Sequence, residues 1–287
     1  MCRLYGLHAS HPTQAACELL DAQNALIQQS RKDERGLSNP HGWGMGYIQD
    51  GRGACRRQVQ PASDSTDYRE EALQLEGETL LAHVRRATVG TPSHANTHPF
   101  RIGSGMLIHN GHVPGFRAVR PRLRDALTDD LRQSIRGDTD SEHIFAFLLE
   151  HRRRAPDASL REITRRVVRQ VRAWSHDAPD AAIDPLPPEV EDDHDPREVA
   201  LNLLWTDGTA LAGSRLNRSL WTIERTAPRA CPLCGNDHAH PPADASYRST
   251  VLASERLTDE TWQEVPDASV FSARDGGTLT VEPLAPS

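Results

Sequence analysis

The sequence predicts an α+β protein with largely antiparallel sheets. Segments of strand character stand both before and after the helical ones, without strict βαβ alternation. Asp-Gly pairs at Asp50–Gly51 and Asp207–Gly208 lie between apolar runs, as hairpin turns do. Two long helical patterns fall next to each other in mid-chain.

Taken in order, the opening MCRLYGLHAS reads as a strand. From Pro12 to Gln29 the apolar residues Ala16, Leu19, Leu20, Leu26 and Ile27 recur at helical spacing and predict one amphipathic helix. GWGMGYIQDG is a strand with three early glycines, Gly42, Gly44 and Gly46, which allow close backbone approach, and it closes in the Asp50–Gly51 turn. Strands follow in TLLAHVRRAT, from Thr79, and GMLIHNG, from Gly105, joined by a long polar loop. Thr139 and Glu142 have capping-box spacing, so a helix begins at about Asp140 and buries Ile144, Phe145 and Leu148. A second runs from Leu160 to Trp174, with Ile163, Val167 and Val171 on one side and arginines on the others. The stretch from Pro179 to Pro196 holds five prolines and seven acidic residues and reads as a surface loop. LNLLWTDGTALAGSR, SLWTIER, STVLASERL and TLTVEPL supply the later strands.

The chain has 287 residues, of which 37% are hydrophobic and 25% charged, which is globular composition with enough apolar mass for a sizeable core. A net charge of -7 argues against a nucleic-acid partner, although Lys32 is the only lysine among many arginines. No apolar run of signal-peptide or membrane-span length is present, so a cytoplasmic protein with no membrane partner is expected. Five cysteines at uneven spacing do not suggest a disulfide framework.

Cys2 directly follows the initiator methionine. Removal of methionine is expected before so small a residue, and it would leave a thiol and a free α-amino group on one residue. With a reference pKa of roughly 7.7 to 8, that amine can act as a base toward a nucleophilic sulfur. Read alone, the stretch favours the plainer reading of position 2 as an arbitrary residue. Attack on a carbonyl needs donors for the oxyanion, which the Asn110 amide and the Gly111 N–H could supply at the end of a strand; a plain type I′ hairpin turn is the other reading of Asn-Gly. Arg85 and Thr88 fall late on the preceding strand, His98 in the loop beyond it, and Asp140 at a helix start. An arginine suits an α-carboxylate and an aspartate an ammonium, so these describe a pocket for an amino-acid head group.

These motifs, MCRLYG, HVRRATVGTPSHANTHPF, HNG and GDTDSEHI, resemble the class II glutamine amidotransferases, members of the N-terminal nucleophile hydrolases. LNLLWTDGTALAGSR and VLASERLTDETW are similar to the stand-alone bacterial branch. The resemblance implies a four-layer α/β/β/α sandwich of two antiparallel sheets flanked by helices, in one domain over residues 2–287. It implies Cys2 as nucleophile, Asn110 and Gly111 as oxyanion hole, Arg85 and Asp140 on the substrate head group, and Thr88 and His98 bordering its pocket. The expected chemistry is cleavage of a γ-glutamyl amide in a small-molecule substrate, with no cofactor required for catalysis. Arg86 departs from the tryptophan frequent in synthase-linked relatives.

A separate signal lies in an insertion at about residues 228–245. CPLCGNDHAH offers Cys231, Cys234, His238 and His240, ligand types suited to a structural zinc ion, but zinc sites usually draw their second pair of ligands from farther away. Two reduced cysteines in a turn, or a redox pair, fit the same residues. Cys17 and Cys55 read as inert. Two further functional readings stay open: a glutaminase subunit that passes ammonia to a separate synthase, and a non-catalytic or zinc-dependent interaction module.

Overall fold

The computed structural model describes residues 2–88, 90–183, 195, 197–228, 231, 233–274, 276 and 278–284. Strand β1 (Arg3–Gln14) leads into two short helices, α1 (Ala16–Leu20) and α2 (Leu26–Arg31). The hairpin of β2 (Trp43–Gln49) and β3 (Arg52–Gln58), helix α3 (Thr66–Gln74) and β4 (Glu76–Val84) follow. After β5 (Phe100–Ile102) and β6 (Gly105–His112) come α4 (Phe116–Asp125), α5 (Asp129–Ser134), α6 (Asp140–Arg154) and α7 (Leu160–His176). The remainder is β7 (Ala200–Thr206), β8 (Ala210–Arg215), β9 (Trp221–Arg225), β10 (Ser249–Ala253), β11 (Gln263–Glu264), β12 (Ser269–Arg274) and β13 (Thr280–Pro283).

Two sheets form, in the orders β11-β9-β10-β1-β4-β2-β3 and β13-β12-β8-β7-β6-β5. Every named strand pair is antiparallel. Three apolar layers explain the stacking. Leu4, Leu81, Ile108, Leu204 and Phe271 meet between the sheets. On the outer face of the first sheet, Tyr5, Leu7, Leu80 and Ala82 pack with Leu19, Leu26 and Tyr68 of α1, α2 and α3. On the outer face of the second, Leu107, Leu203 and Trp205 pack with Phe145, Ile163 and Val167 of α6 and α7. The result is the expected helix/sheet/sheet/helix sandwich, each strand feeding a different layer with alternate residues.

Local sequence accounts for most boundaries. Asp50 and Gly51 both take positive φ, 50° and 68°, which a two-residue hairpin turn requires. Gly44 and Gly46 leave the inner face of β2 bare: a Cβ there would stand 2.1 Å from the His98 carbonyl oxygen and 2.7 Å from Met106 Sδ. Thr139 caps α6 by accepting from Glu142 N–H. The Glu142 carboxylate turns to Arg136 N–H and Gly137 N–H instead of completing the reciprocal box.

Some expectations are corrected. The single helix over 12–29 is two, because β1 continues through Gln14 and Asn24 is drawn off the helical path: its N–H donates to Leu257 O and its amide to Glu255. Strand β4 starts at Glu76 and stops at Val84, so Arg85 and Thr88 lie just beyond it. Helix α4 was not anticipated, since its apolar Phe116, Val119 and Leu123 are set among arginines around Pro121. The acidic, proline-rich loop expected at about 179–196 falls mostly outside the described residues, except that Asp180–Ala182 form a 3-10 turn.

Candidate active site

Strand alternation brings the predicted residues together. On β1, Leu4 faces the inter-sheet layer, so Cys2, two positions earlier, continues that face. On β4 the same face carries Leu81 and then His83, and Arg85, one residue past the strand's end, continues the period. Arg3 pairs with Val84, which sets Cys2 opposite Arg85 just past the end of the ladder. On β6, Met106 and Ile108 occupy the inter-sheet layer and Asn110 follows them in period two. Cys2, Arg85 and Asn110 therefore gather at one end of the sandwich, from three strands in two sheets.

The sulfur is held by backbone: Cys2 Sγ lies 3.2 Å from Arg86 O and 3.4 Å from Arg86 N. Ser254, at the end of β10, joins the sheets. Its hydroxyl accepts from Leu4 N–H at 3.0 Å and from the Asn110 amide at 3.5 Å. Asn110 and Gly111 are in the β6 ladder, paired with Asn202 and Leu201, so the hairpin-turn reading does not describe them. A Cβ on Gly111 would stand 2.0 Å from Ala200 O, so only glycine fits there.

Arg85 is buried, and its guanidinium donates to Gly90 O at 3.1 Å and Thr91 O at 3.4 Å. Burial pushes its pKa below the usual arginine value; the charges of Cys2, Asp138 and Asp140 oppose that push, so all three lie within electrostatic reach. Asp140 opens α6, where the helix dipole favours a carboxylate, and it accepts from Val113 N–H at 3.0 Å, just beyond β6. Thr88 is half-buried in the loop after β4. His98 is deeply buried, its ring 4.1 Å from that of His83 and 4.6 Å from that of Phe100, and neither nitrogen has a hydrogen-bond partner among the described residues. Burial lowers the pKa of His98, and that of His83 to about 3, so both are neutral near pH 7. Arg86 reaches away to donate to Ser38 O at 3.2 Å.

Residues that sequence reasoning missed complete the surroundings. Arg3 donates to Cys2 O at 3.1 Å and is paired with Asp33 at 2.8 Å and Glu255 at 2.5 Å. Asn96 donates to Asp138 at 2.6 Å and to Thr91 O at 3.0 Å, bracing the loop on which Arg85 leans. Arg3, Asn96, Asp138 and Glu255 all lie inside motifs that carried the family resemblance, MCRLYG, HVRRATVGTPSHANTHPF, GDTDSEHI and VLASERL, but nothing in those motifs marked their partners. At a second location, Cys231, Cys234 and His238 come together with Cys17, and their donor atoms all lie within 4.8 Å of one another. His240 is exposed and not among them.

A family model described as glutamine amidotransferases class-II matches residues 1–182. The chain is 25% identical over 315 residues to the probable glutamine amidotransferase DUG3 of Saccharomyces cerevisiae, covering 99% of this chain and 84% of that protein. It is also 25% identical over 280 residues to the gamma-glutamyl-hercynylcysteine sulfoxide hydrolase of Mycolicibacterium smegmatis, covering 95% and 96%. Among solved structures, a glutamine aminotransferase class-II domain protein from Silicibacter pomeroyi superposes with a TM-score of 0.62 at 19% identity, covering 99% of this chain and all of that one. Glutamine phosphoribosylpyrophosphate amidotransferase from Bacillus subtilis gives 0.61 at 15% identity, covering 99% of this chain and 49% of that one. Among the described residues, no helix is long and apolar enough to cross a membrane.

Proposed function

The chain belongs to the class-II glutamine amidotransferases, and from that premise we propose that it hydrolyses a γ-glutamyl amide through a thioester on Cys2. The observation that carries the reading is the β1–β4 register, in which the sulfur-bearing residue stands opposite Arg85 on the inter-sheet face. The similarity to a gamma-glutamyl hydrolase along nearly its whole length supports a substrate with a free glutamyl head group.

In this reading Met1 is removed and the α-amino group of Cys2 takes the thiol proton. The thiolate adds to the γ-carboxamide carbon, and the oxyanion is held by the Asn110 amide and Gly111 N–H. The amino group returns its proton to the leaving amine as the C–N bond breaks. Water then adds to the thioester, giving glutamate and the free thiol. Arg85 exchanges its bonds to Gly90 O and Thr91 O for the α-carboxylate, and Asp140 receives the α-ammonium. Thr88 and His98 shape the pocket wall, His98 as a neutral packing ring.

The test is mass spectrometry after incubation with a diazo-ketone analogue of glutamine. We expect one adduct on a chain that begins at Cys2, with loss of γ-glutamyl hydrolysis in proportion to labelling. An adduct elsewhere, or full activity in a chain that retains Met1, would remove Cys2 from this role.

A further inference from the structure

We propose that Cys17, Cys231, Cys234 and His238 bind one zinc ion as a closed structural site. One donor atom from each residue falls within 4.8 Å of all the others. Tetrahedral zinc, with bonds of roughly 2.3 Å to sulfur and 2.0 Å to nitrogen, needs donors separated by about 3.5–3.8 Å, so small side-chain adjustments close the shell. Three thiols and an imidazole are a set that favours zinc over the oxygen-seeking cations.

The turn that carries two of these cysteines is built like a metal knuckle. Gly235 N–H donates to Cys231 O at 2.8 Å, and Cys231 N–H donates to Asn236 O at 2.9 Å. Gly235 takes a φ of 75°, which lets the chain reverse directly after Cys234.

His238 supplies an independent indication. Its Nδ1 lies 3.2 Å from Gln14 O, and a carbonyl only accepts, so that nitrogen carries the proton. The lone pair is thereby left on Nε2, which faces Cys234 Sγ at 3.2 Å. A ring oriented by a backbone carbonyl through one nitrogen and offering the other to the ligand cluster is the usual outer-shell arrangement of zinc-bound histidine.

The fourth ligand comes from across the fold. Cys17 is on α1, directly after β1, and is buried at 5% exposure. Gln14 N–H donates to His238 O at 2.9 Å, and Thr13 bridges Ala239, so the knuckle is already seated against the end of β1. With four protein ligands no coordination position stays open for chemistry. The ion would instead fasten the long connection between β9 and β10 to the first helix, where no helix or regular strand anchors it among the described residues.

The experiment is metal analysis of the full chain, purified with zinc chloride and dialysed, alongside the variants Cys17→Ser, Cys231→Ser and His240→Ala. The expected result is about one zinc per chain in wild type and His240→Ala, and less than about a tenth of that in the two serine variants. Should the serine variants fail to fold, Co2+ loading of the wild type gives the answer: a tetrahedral thiolate site shows intense visible bands and sulfur-to-cobalt charge transfer. Zinc-free wild type with featureless Co2+ spectra would overturn the proposal, as would undiminished zinc in Cys17→Ser, or a Cys231–Cys234 disulfide in freshly purified protein.

Discussion

Arg3 and Glu255 form a buried ion pair, Nε to Oε1 2.5 Å, that fixes the backbone directly beside the proposed nucleophile. The same guanidinium pairs with Asp33 and donates to Cys2 O, while Glu255 also accepts from Glu34 N–H and the Asn24 amide. Removing the cation would strand two carboxylates away from water. We expect Arg3→Met to lose about 3–5 kcal/mol of stability, the range for an uncompensated buried charge. Urea denaturation of the variant measures this, and a loss under about 1 kcal/mol would mean that the pair contributes no more than an exposed one.

Asn110→Ala should leave stability nearly intact while lowering kcat by a factor on the order of 10²–10³, the usual consequence of losing one oxyanion donor. KM should change little, because the donor acts on charge that develops after binding. Steady-state kinetics on a γ-glutamyl anilide reads both constants, and an unchanged kcat would exclude Asn110 from the oxyanion hole.

Arg85→Lys keeps the charge but loses the planar fork that can grip a carboxylate with two bonds. Losing one charge-assisted hydrogen bond, roughly 1.5–3 kcal/mol, should lower kcat/KM by about ten- to a hundredfold. A substrate analogue without the α-carboxylate distinguishes binding from collapse of the loop braced on Gly90 and Thr91. If wild type and variant handle that analogue equally, the defect belongs to carboxylate binding; if the variant remains as impaired as before, it belongs to the loop.

The residues that were legible in the sequence are those whose chemistry depends on local order. Cys2 could be read because it follows Met1, Asn110 and Gly111 because they form one short motif, and Asp140 because Thr139 and Glu142 mark a helix start. The buried face of α7 could be read because Leu160, Ile163, Val167 and Val171 keep the helical period. Arg3 could not, because its partner Glu255 lies 252 positions away and a buried ion pair leaves no periodic trace. Cys17 passed for a small apolar residue on a helix face, and only the folded path of β1 brings it to Cys231 and Cys234. The four-layer architecture came through family resemblance, since the strands alone did not say which layer each side chain enters.

The last prediction concerns acid. His83, His98 and His109 are all buried, and burial lowers the pKa of each below the ordinary histidine value of 6.5, to about 3 for His83. A histidine held neutral in the fold binds a proton more readily when unfolded. Its contribution to stability is therefore fully present above about pH 6.5 and is lost as pH falls from there toward the folded-state pKa. Each such ring adds a slope of up to about 1.4 kcal/mol per pH unit in that window. His98→Leu removes one titrating ring, so its unfolding free energy should fall less steeply between pH 6 and 5, by about that amount per unit, whatever the packing change does to the absolute value. Denaturation series at several pH values measure the two slopes. Equal slopes would mean that His98 is protonated in the folded protein, which its position between the His83 and Phe100 rings, with no acceptor for an N–H among the described residues, argues against.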